Sequence, residues 1–126
     1  MKIGFIGLGK LGMPLAVAIA SKKIKTIGYD SNESVMNFDY YKYQEAGINN
    51  QTFDECFQQA INEKTLVFSK NIEEIVENTE LIFLCIQTPH EKQYEGITRA
   101  PKKRSNFDYK YLIESIKQLN LLVKKI

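Results

Sequence analysis

A doubly wound α/β fold on a parallel sheet is what this chain predicts, and three observations predict it. Short apolar runs alternate with helix-like segments along all 126 residues. The first run passes straight into the spacing Gly7-Leu8-Gly9-Lys10-Leu11-Gly12. The second run ends in Asp30, about 20 residues beyond those glycines, the interval at which this class of fold places an acid.

Taken in order, Lys2 to Ile6 (KIGFI) reads as a buried first strand. The helix after the glycines carries Pro14 in its first turn, where a missing N–H costs little. Leu15 to Ala20 make that helix apolar nearly all round, and Ser21, Lys22 and Lys23 close it with positive charge. Lys25 to Tyr29 (KTIGY) is the second strand. From Asn32 to Tyr43 the signal is mixed, with Tyr40, Tyr41 and Tyr43 read as core or rim packing on a helix flank or an aromatic loop. Within Thr52 to Asn62, Phe53, Cys56, Phe57, Ala60 and Ile61 recur at helical spacing. Leu66-Val67-Phe68 is a third strand, and Asn71 caps a brief helix carrying Ile72, Ile75 and Val76. Glu80 to Ile86 (ELIFLCI) is the most apolar run, which predicts a strand covered on both faces. Thr88 to Asn106 is polar, Pro-bearing and basic, hence a long loop. Leu112, Ile116, Leu119, Val123 and Ile126 then step by four and three along a closing helix. Right-handed crossovers between these elements give strand order 3-2-1-4, with the fourth strand at an edge. Its faces are expected under the helices ending in Ser21 and Ile126, and its unpaired edge to self-associate.

Composition narrows the function classes. The length suits one domain with a real core, and 44% hydrophobic with 25% charged residues is ordinary for a globular protein. A net charge of +2 is too mild for a nucleic-acid binder, and Lys102-Lys103-Arg104, with Arg99 nearby, reads as a solvated loop. Cys56 and Cys85 form no CxxC or metal-ligand pattern. Cys85 reads as a small core hydrophobe and Cys56 as a half-buried helix residue. With His90 the only histidine, neither a His-based metal site nor a catalytic triad can be argued. No apolar stretch reaches about 18 residues and no leader precedes the first strand, so no membrane span is expected and a reducing cytoplasm is the natural compartment.

The glycine segment with its flanking strand and helix is a dinucleotide fingerprint of the Rossmann type. Gly7 permits the tight turn out of the strand, Gly9 lets backbone approach a pyrophosphate closely, and Gly12 lets the helix pack against the strand. The helix that opens there points its N–H groups and positive dipole end at the phosphates. Asp30 lies where the adenosine ribose would be, and a helix N-cap or turn role is compatible with that. Its carboxylate would repel a 2′-phosphate, by about 4 kcal/mol per unit charge at about 4 Å and an effective dielectric near 20, before screening. Ser31, Asn32 and Glu33 follow, with no arginine to hold such a phosphate, so NAD is favoured over NADP.

Several segments in register carry a resemblance: GLGKLGMPLA, the TIGYD strand end, Glu45-Ala46-Gly47-Ile48, Gln87-Thr88-Pro89, and Phe107-Asp108-Tyr109-Lys110-Tyr111-Leu112. Together they resemble the N-terminal NAD domain of the UDP-glucose/GDP-mannose dehydrogenase family, of the UDP-glucose 6-dehydrogenase kind. The Thr-Pro ending and the Phe-Asp-Tyr segment discriminate, because the opening glycines alone would equally suit 3-hydroxyisobutyrate or 6-phosphogluconate dehydrogenases. The resemblance implies an enzyme that oxidises the C6 alcohol of a nucleotide sugar to a carboxylate in two NAD-dependent steps, through a thiohemiacetal on a cysteine of a later domain. It implies that Gly7, Gly9, Lys10, Leu11 and Gly12 cradle the pyrophosphate, that Asp30 holds the ribose, and that Thr88 faces the cofactor near the sheet's switch point.

Departures from the family pattern are Ala46 in place of a usual proline, Gln87 where proline or asparagine is frequent, and Val35 where some members carry a lysine beside the ribose. The resemblance also implies that residues 1–126 are an incomplete NAD-binding domain, truncated after the fourth strand and its following helix. The fifth strand, the linking helix, the substrate domain and the Gly-Gly-Ser-Cys nucleophile motif are missing. Neither Cys56 nor Cys85 has the setting of that nucleophile, so no catalytic residue is assigned and the isolated chain is expected to be inactive. The alternative is a stand-alone NAD- or nucleotide-binding regulatory module without catalysis. Downstream coding sequence carrying the nucleophile motif would separate the two.

Overall fold

The computed structural model describes residues 1–37, 50–89 and 108–124. Tyr40, Tyr41, Tyr43, Glu45 to Ile48, His90, Arg99, Lys102 to Arg104, Phe107, Ile126 and most of the expected long loop lie outside the described residues.

Four parallel strands form one sheet in the order β3-β2-β1-β4. They are β1 (Lys2–Ile6), β2 (Lys25–Tyr29), β3 (Leu66–Phe68) and β4 (Leu81–Leu84). The helices are α1 (Gly12–Ser21), α2 (Phe53–Asn62), α3 (Ile72–Asn78) and α4 (Lys110–Val123), with a short 3-10 turn over Glu33–Met36. The doubly wound Rossmann-type α/β fold predicted from the sequence is thus the fold observed.

Strand alternation divides the core into two. Ile3 and Phe5 face one side of β1 and pack with Met13, Ala16, Val17 and Ala20 of α1 and with Phe53, Cys56, Phe57 and Ala60 of α2. Ile6 and Ile27 face the other side, with Ile72 and Ile75 of α3 and the partly buried Leu119 and Leu122 of α4. Full burial of side chains the size of Phe5, Phe57 and Leu66 contributes about 1.5–3 kcal/mol each. The first cluster supplies the larger share.

Four local expectations are corrected. β4 is half open rather than covered on both faces: Leu81 is 44% and Phe83 37% exposed. In register with Ile3 and Phe5, they point to the α1 side, where Phe83 stacks on Phe5 with centroids 5.0 Å apart. Because α1 follows β1 and leans toward β2 and β3, no described helix reaches over β4 on that face. On the other face Ile82 and Leu84 are half-buried beside α4. Second, the apolar stripe of α4 is rotated: Leu112, Leu119 and Leu122 are half-buried, whereas Ile116 and Val123 are exposed. Third, Asn71 stands at the N-cap of α3 without a side-chain capping bond. Ser69 organises that turn instead, its hydroxyl accepting from the Asn71 N–H and bonding to Glu74. Cys56, expected half-buried, is fully buried.

Candidate functional site

The site is built where β1 ends. Backbone φ at Gly7 is +98°, in the left-handed region that a side chain rarely adopts. A Cβ there would lie 2.3 Å from the Cys85 carbonyl oxygen, so the turn fits glycine alone. The turn is pinned on both sides: Gly7 N–H donates to Tyr29 O at 2.9 Å, and Cys85 N–H donates to Ile6 O at 2.8 Å. At Gly12 a Cβ would stand 1.9 Å from Gly7 O and 3.1 Å from the Cys85 Cβ, so its absence seats α1 against the ends of β1 and β4. Gly9 differs from both, since a Cβ there would meet nothing within 4 Å among the described residues.

Asp30 joins this turn to the end of β2. Leu8 N–H donates to its Oδ2 and Asn32 N–H to its Oδ1, each at 2.8 Å. Each carboxylate oxygen keeps acceptor capacity beyond the one bond it receives. Both a turn role and a hydroxyl-accepting role are therefore open to Asp30 at once.

A cavity of about 440 Å³ opens over this junction, a volume typical of small-molecule sites. Of the residues singled out by sequence, Gly7, Gly9 and Asp30 line it. Lys10 and Leu11 are exposed at the entry to α1, Gly12 is buried beneath it, and Thr88 is half-buried beyond β4; these four are outside the lining. No side chain caps α1, and its first turn holds no acid, so the positive end of the helix is left to whatever occupies the turn. These features suit a pyrophosphate.

The remaining walls come from three places. Ser31, Asn32 and Val35 extend from the end of β2, and Cys85, Ile86 and Gln87 from the end of β4. Tyr111, Glu114, Ser115 and Gln118 of α4 close the far side. The start of α4 is held near the end of β4 because Asp108 N–H donates to Pro89 O at 2.7 Å. Sequence reasoning missed the α4 residues. Their signal was present, since positions 111, 114, 115 and 118 share one helical face and carry polar or aromatic groups beside the apolar stripe. Burial pushes the Cys85 thiol up from its ordinary range, which favours the neutral thiol at the cavity wall. No cluster of His, Cys, Asp and Glu suited to a metal occurs among the described residues. None of their helices is long and apolar enough to cross a membrane.

Comparison with known proteins agrees with this geometry. The chain is 28% identical over 122 residues to UDP-N-acetyl-D-mannosamine dehydrogenase of Methanococcus maripaludis, a match covering 97% of this chain and 27% of that protein. Its fold superposes on UDP-D-ManNAc dehydrogenase from Pyrococcus horikoshii with a TM-score of 0.68 at 22% identity, over 97% of this chain and 26% of the other. GDP-mannose dehydrogenase from Pseudomonas aeruginosa, crystallised as a ternary complex, gives a TM-score of 0.67 at 21% identity over 92% and 23% of the two chains. This chain therefore spans about a quarter of the length of the relatives it matches. The model of the UDP-glucose/GDP-mannose dehydrogenase family NAD binding domain matches residues 1–126, and the chain belongs to that family through this domain.

Proposed function

We propose that this chain is the NAD-binding part of a nucleotide-sugar 6-dehydrogenase, which oxidises the C6 alcohol of a UDP- or GDP-sugar to a carboxylate. One observation carries the reading: a single cavity brings together Gly9, the left-handed Gly7 turn and the Asp30 carboxylate. In this assignment Gly7, Gly9, Lys10, Leu11 and Gly12 cradle the pyrophosphate, Asp30 accepts from the ribose hydroxyls, and Thr88 faces the cofactor at the switch point between β1 and β4. Bound NAD supplies a hydride acceptor. The chain's own residues bind and orient it.

The names of the relatives in Methanococcus and Pyrococcus favour a UDP-N-acetylated hexose within the substrate class. The resemblance implies that the nucleophilic cysteine of such enzymes lies in a later domain, and this chain spans about a quarter of the relatives' length. Cys56 is fully buried and Cys85 is held as the thiol by burial, which supports giving neither that role. Residues 1–126 by themselves are accordingly assigned cofactor binding without turnover.

Calorimetric titration with NAD and NADP tests the assignment. NAD is expected to bind on the order of tenfold tighter or more, given the repulsion between Asp30 and a 2′-phosphate. Asp30→Ala is expected to weaken NAD and narrow the gap. NADP binding equal to or tighter than NAD by the unaltered chain would overturn it.

A further inference from the structure

The α4 side of the cavity is unlike the polar surface of α2. On α2, Gln58 Nε2 donates to Asn62 Oδ1 and Gln59 Nε2 to Glu63 Oε1, both at 2.9 Å, so the polar groups satisfy one another. On α4, Tyr111, Glu114, Ser115 and Gln118 share one face toward the cavity, and their side chains make no hydrogen bond or ion pair with the described residues.

The shape of a nucleotide says what belongs there. The base and the 5′-phosphate leave the ribose on different sides. With the phosphates assigned to the glycine turn and the ribose to Asp30, the base is left the rest of the lining, which includes Val35 and the α4 residues. Val35 is half-buried and offers an apolar contact to a base face, while α4 offers polar groups to a base edge.

We infer that the cavity-facing stripe of α4 reads the base of the dinucleotide, and that Glu114 sets its specificity by accepting a hydrogen bond from the exocyclic amine of adenine. This rests on the cofactor site assigned above. The choice of Glu114 follows from donor and acceptor chemistry. The hydroxyls of Tyr111 and Ser115 and the amide of Gln118 both donate and accept, so they tolerate an amine or a carbonyl on the base. An ionised carboxylate only accepts. It welcomes an amine and repels a carbonyl oxygen at the same position.

Nicotinamide hypoxanthine dinucleotide, which carries a carbonyl oxygen in place of that amine, is the probe. In calorimetric titrations the unaltered chain is expected to bind NAD on the order of tenfold tighter than this analogue, the scale of one charge-assisted hydrogen bond. Glu114→Gln, whose amide can donate to the carbonyl, is expected to bring the two affinities within about twofold of each other. Glu114 is exposed, so the thermal midpoint of that variant is expected to stay within a degree or so of the parent's, on the scale of ordinary surface substitutions. Asp30→Ala is expected to weaken both ligands and leave their ratio intact. An unchanged ratio in Glu114→Gln would overturn this inference alone. NAD and analogue binding both indifferent to Asp30→Ala would overturn the cavity assignment and this inference with it.

Discussion

Helices α1 and α2 are both ten residues long and pack on the same face of the sheet, yet they begin in opposite ways. α2 closes its own N-terminus. The Thr52 hydroxyl accepts from the Glu55 N–H, the Glu55 carboxylate accepts from the Thr52 N–H, and Asp54 and Glu55 complement the helix dipole. α1 begins at Leu11 with no capping side chain and no acid in its first turn, preceded by glycines. α2, which lines no part of the cavity, satisfies its terminal donors with its own side chains. A helix that leaves its positive end undressed above a cavity is arranged for an anion. The C-terminal ends carry no such difference, being tied together by the Lys23–Glu63 ion pair.

The comparison can be broken at its glycines first. Gly12→Ala puts a methyl against the Gly7 carbonyl and is expected to cost about 3 kcal/mol of stability in urea denaturation, at the upper end of overpacking penalties. Gly9→Ala meets no neighbour among the described residues and is expected to leave stability within about 1 kcal/mol, while weakening NAD in calorimetry by about tenfold or more. If both variants lost stability alike, the distinction between a folding glycine and a ligand glycine would be wrong. A smaller effect belongs to α2: Thr52→Ala is expected to cost about 1 kcal/mol and to leave NAD affinity unchanged. An affinity loss there would mean that the two helix ends are coupled.

The smallest effect sharpens the C-terminal half of the comparison. Hydrogen bonding from Lys23, then from Gln59, holds the Glu63 carboxyl below its ordinary range. A carboxylate with a lowered folded pKa lends stability that is present above its unfolded pKa and lost as pH falls through the folded one. Lys23→Gln is therefore expected to flatten the pH dependence of stability slightly on the acid side of about 4.5 and to do little at neutrality. Denaturation midpoints measured from pH 7 down to pH 3 check this, and an equal loss at all pH values would show that Lys23 acts through its left-handed backbone (φ 63°) instead.

What was legible in the chain was local. Strands announced by β-branched and aromatic runs fall where the runs fall, and the Thr52 helix begins at its capping box. The turn at Gly7 was readable because one residue type alone fits it. Misreadings came where a third element decides. The apolar run at Glu80 to Ile86 says that β4 wants cover, but whether helices reach Leu81 and Phe83 depends on which way α1 leans. The spacing of Ile116 and Val123 fits a buried stripe as well as that of Leu112 and Leu119 does, and only docking against α3 and the sheet chooses between them. Asn71 stands at the N-cap but makes no side-chain capping bond, while Ser69, two residues upstream, accepts from the Asn71 N–H and bonds to Glu74. The part of the cavity wall on α4 was hidden for the same reason, since a stripe acquires meaning only from what it faces.

The two main-chain bonds that Asp30 accepts from Leu8 and Asn32 bear on how such chains drift over generations. A lineage that no longer bound nucleotide would still be penalised for losing this carboxylate, because the part-buried Leu8 N–H and the exposed turn at Asn32 both depend on it. Asp30 would persist as a relic of folding, and its presence is a poor witness to a living site. At Gly9 an added Cβ would meet nothing within 4 Å among the described residues, so they impose no such penalty on a side chain there. Once selection for the ligand lapsed, side chains would accumulate there before anywhere else in the turn, so a glycine at position 9 is the residue that testifies to present use.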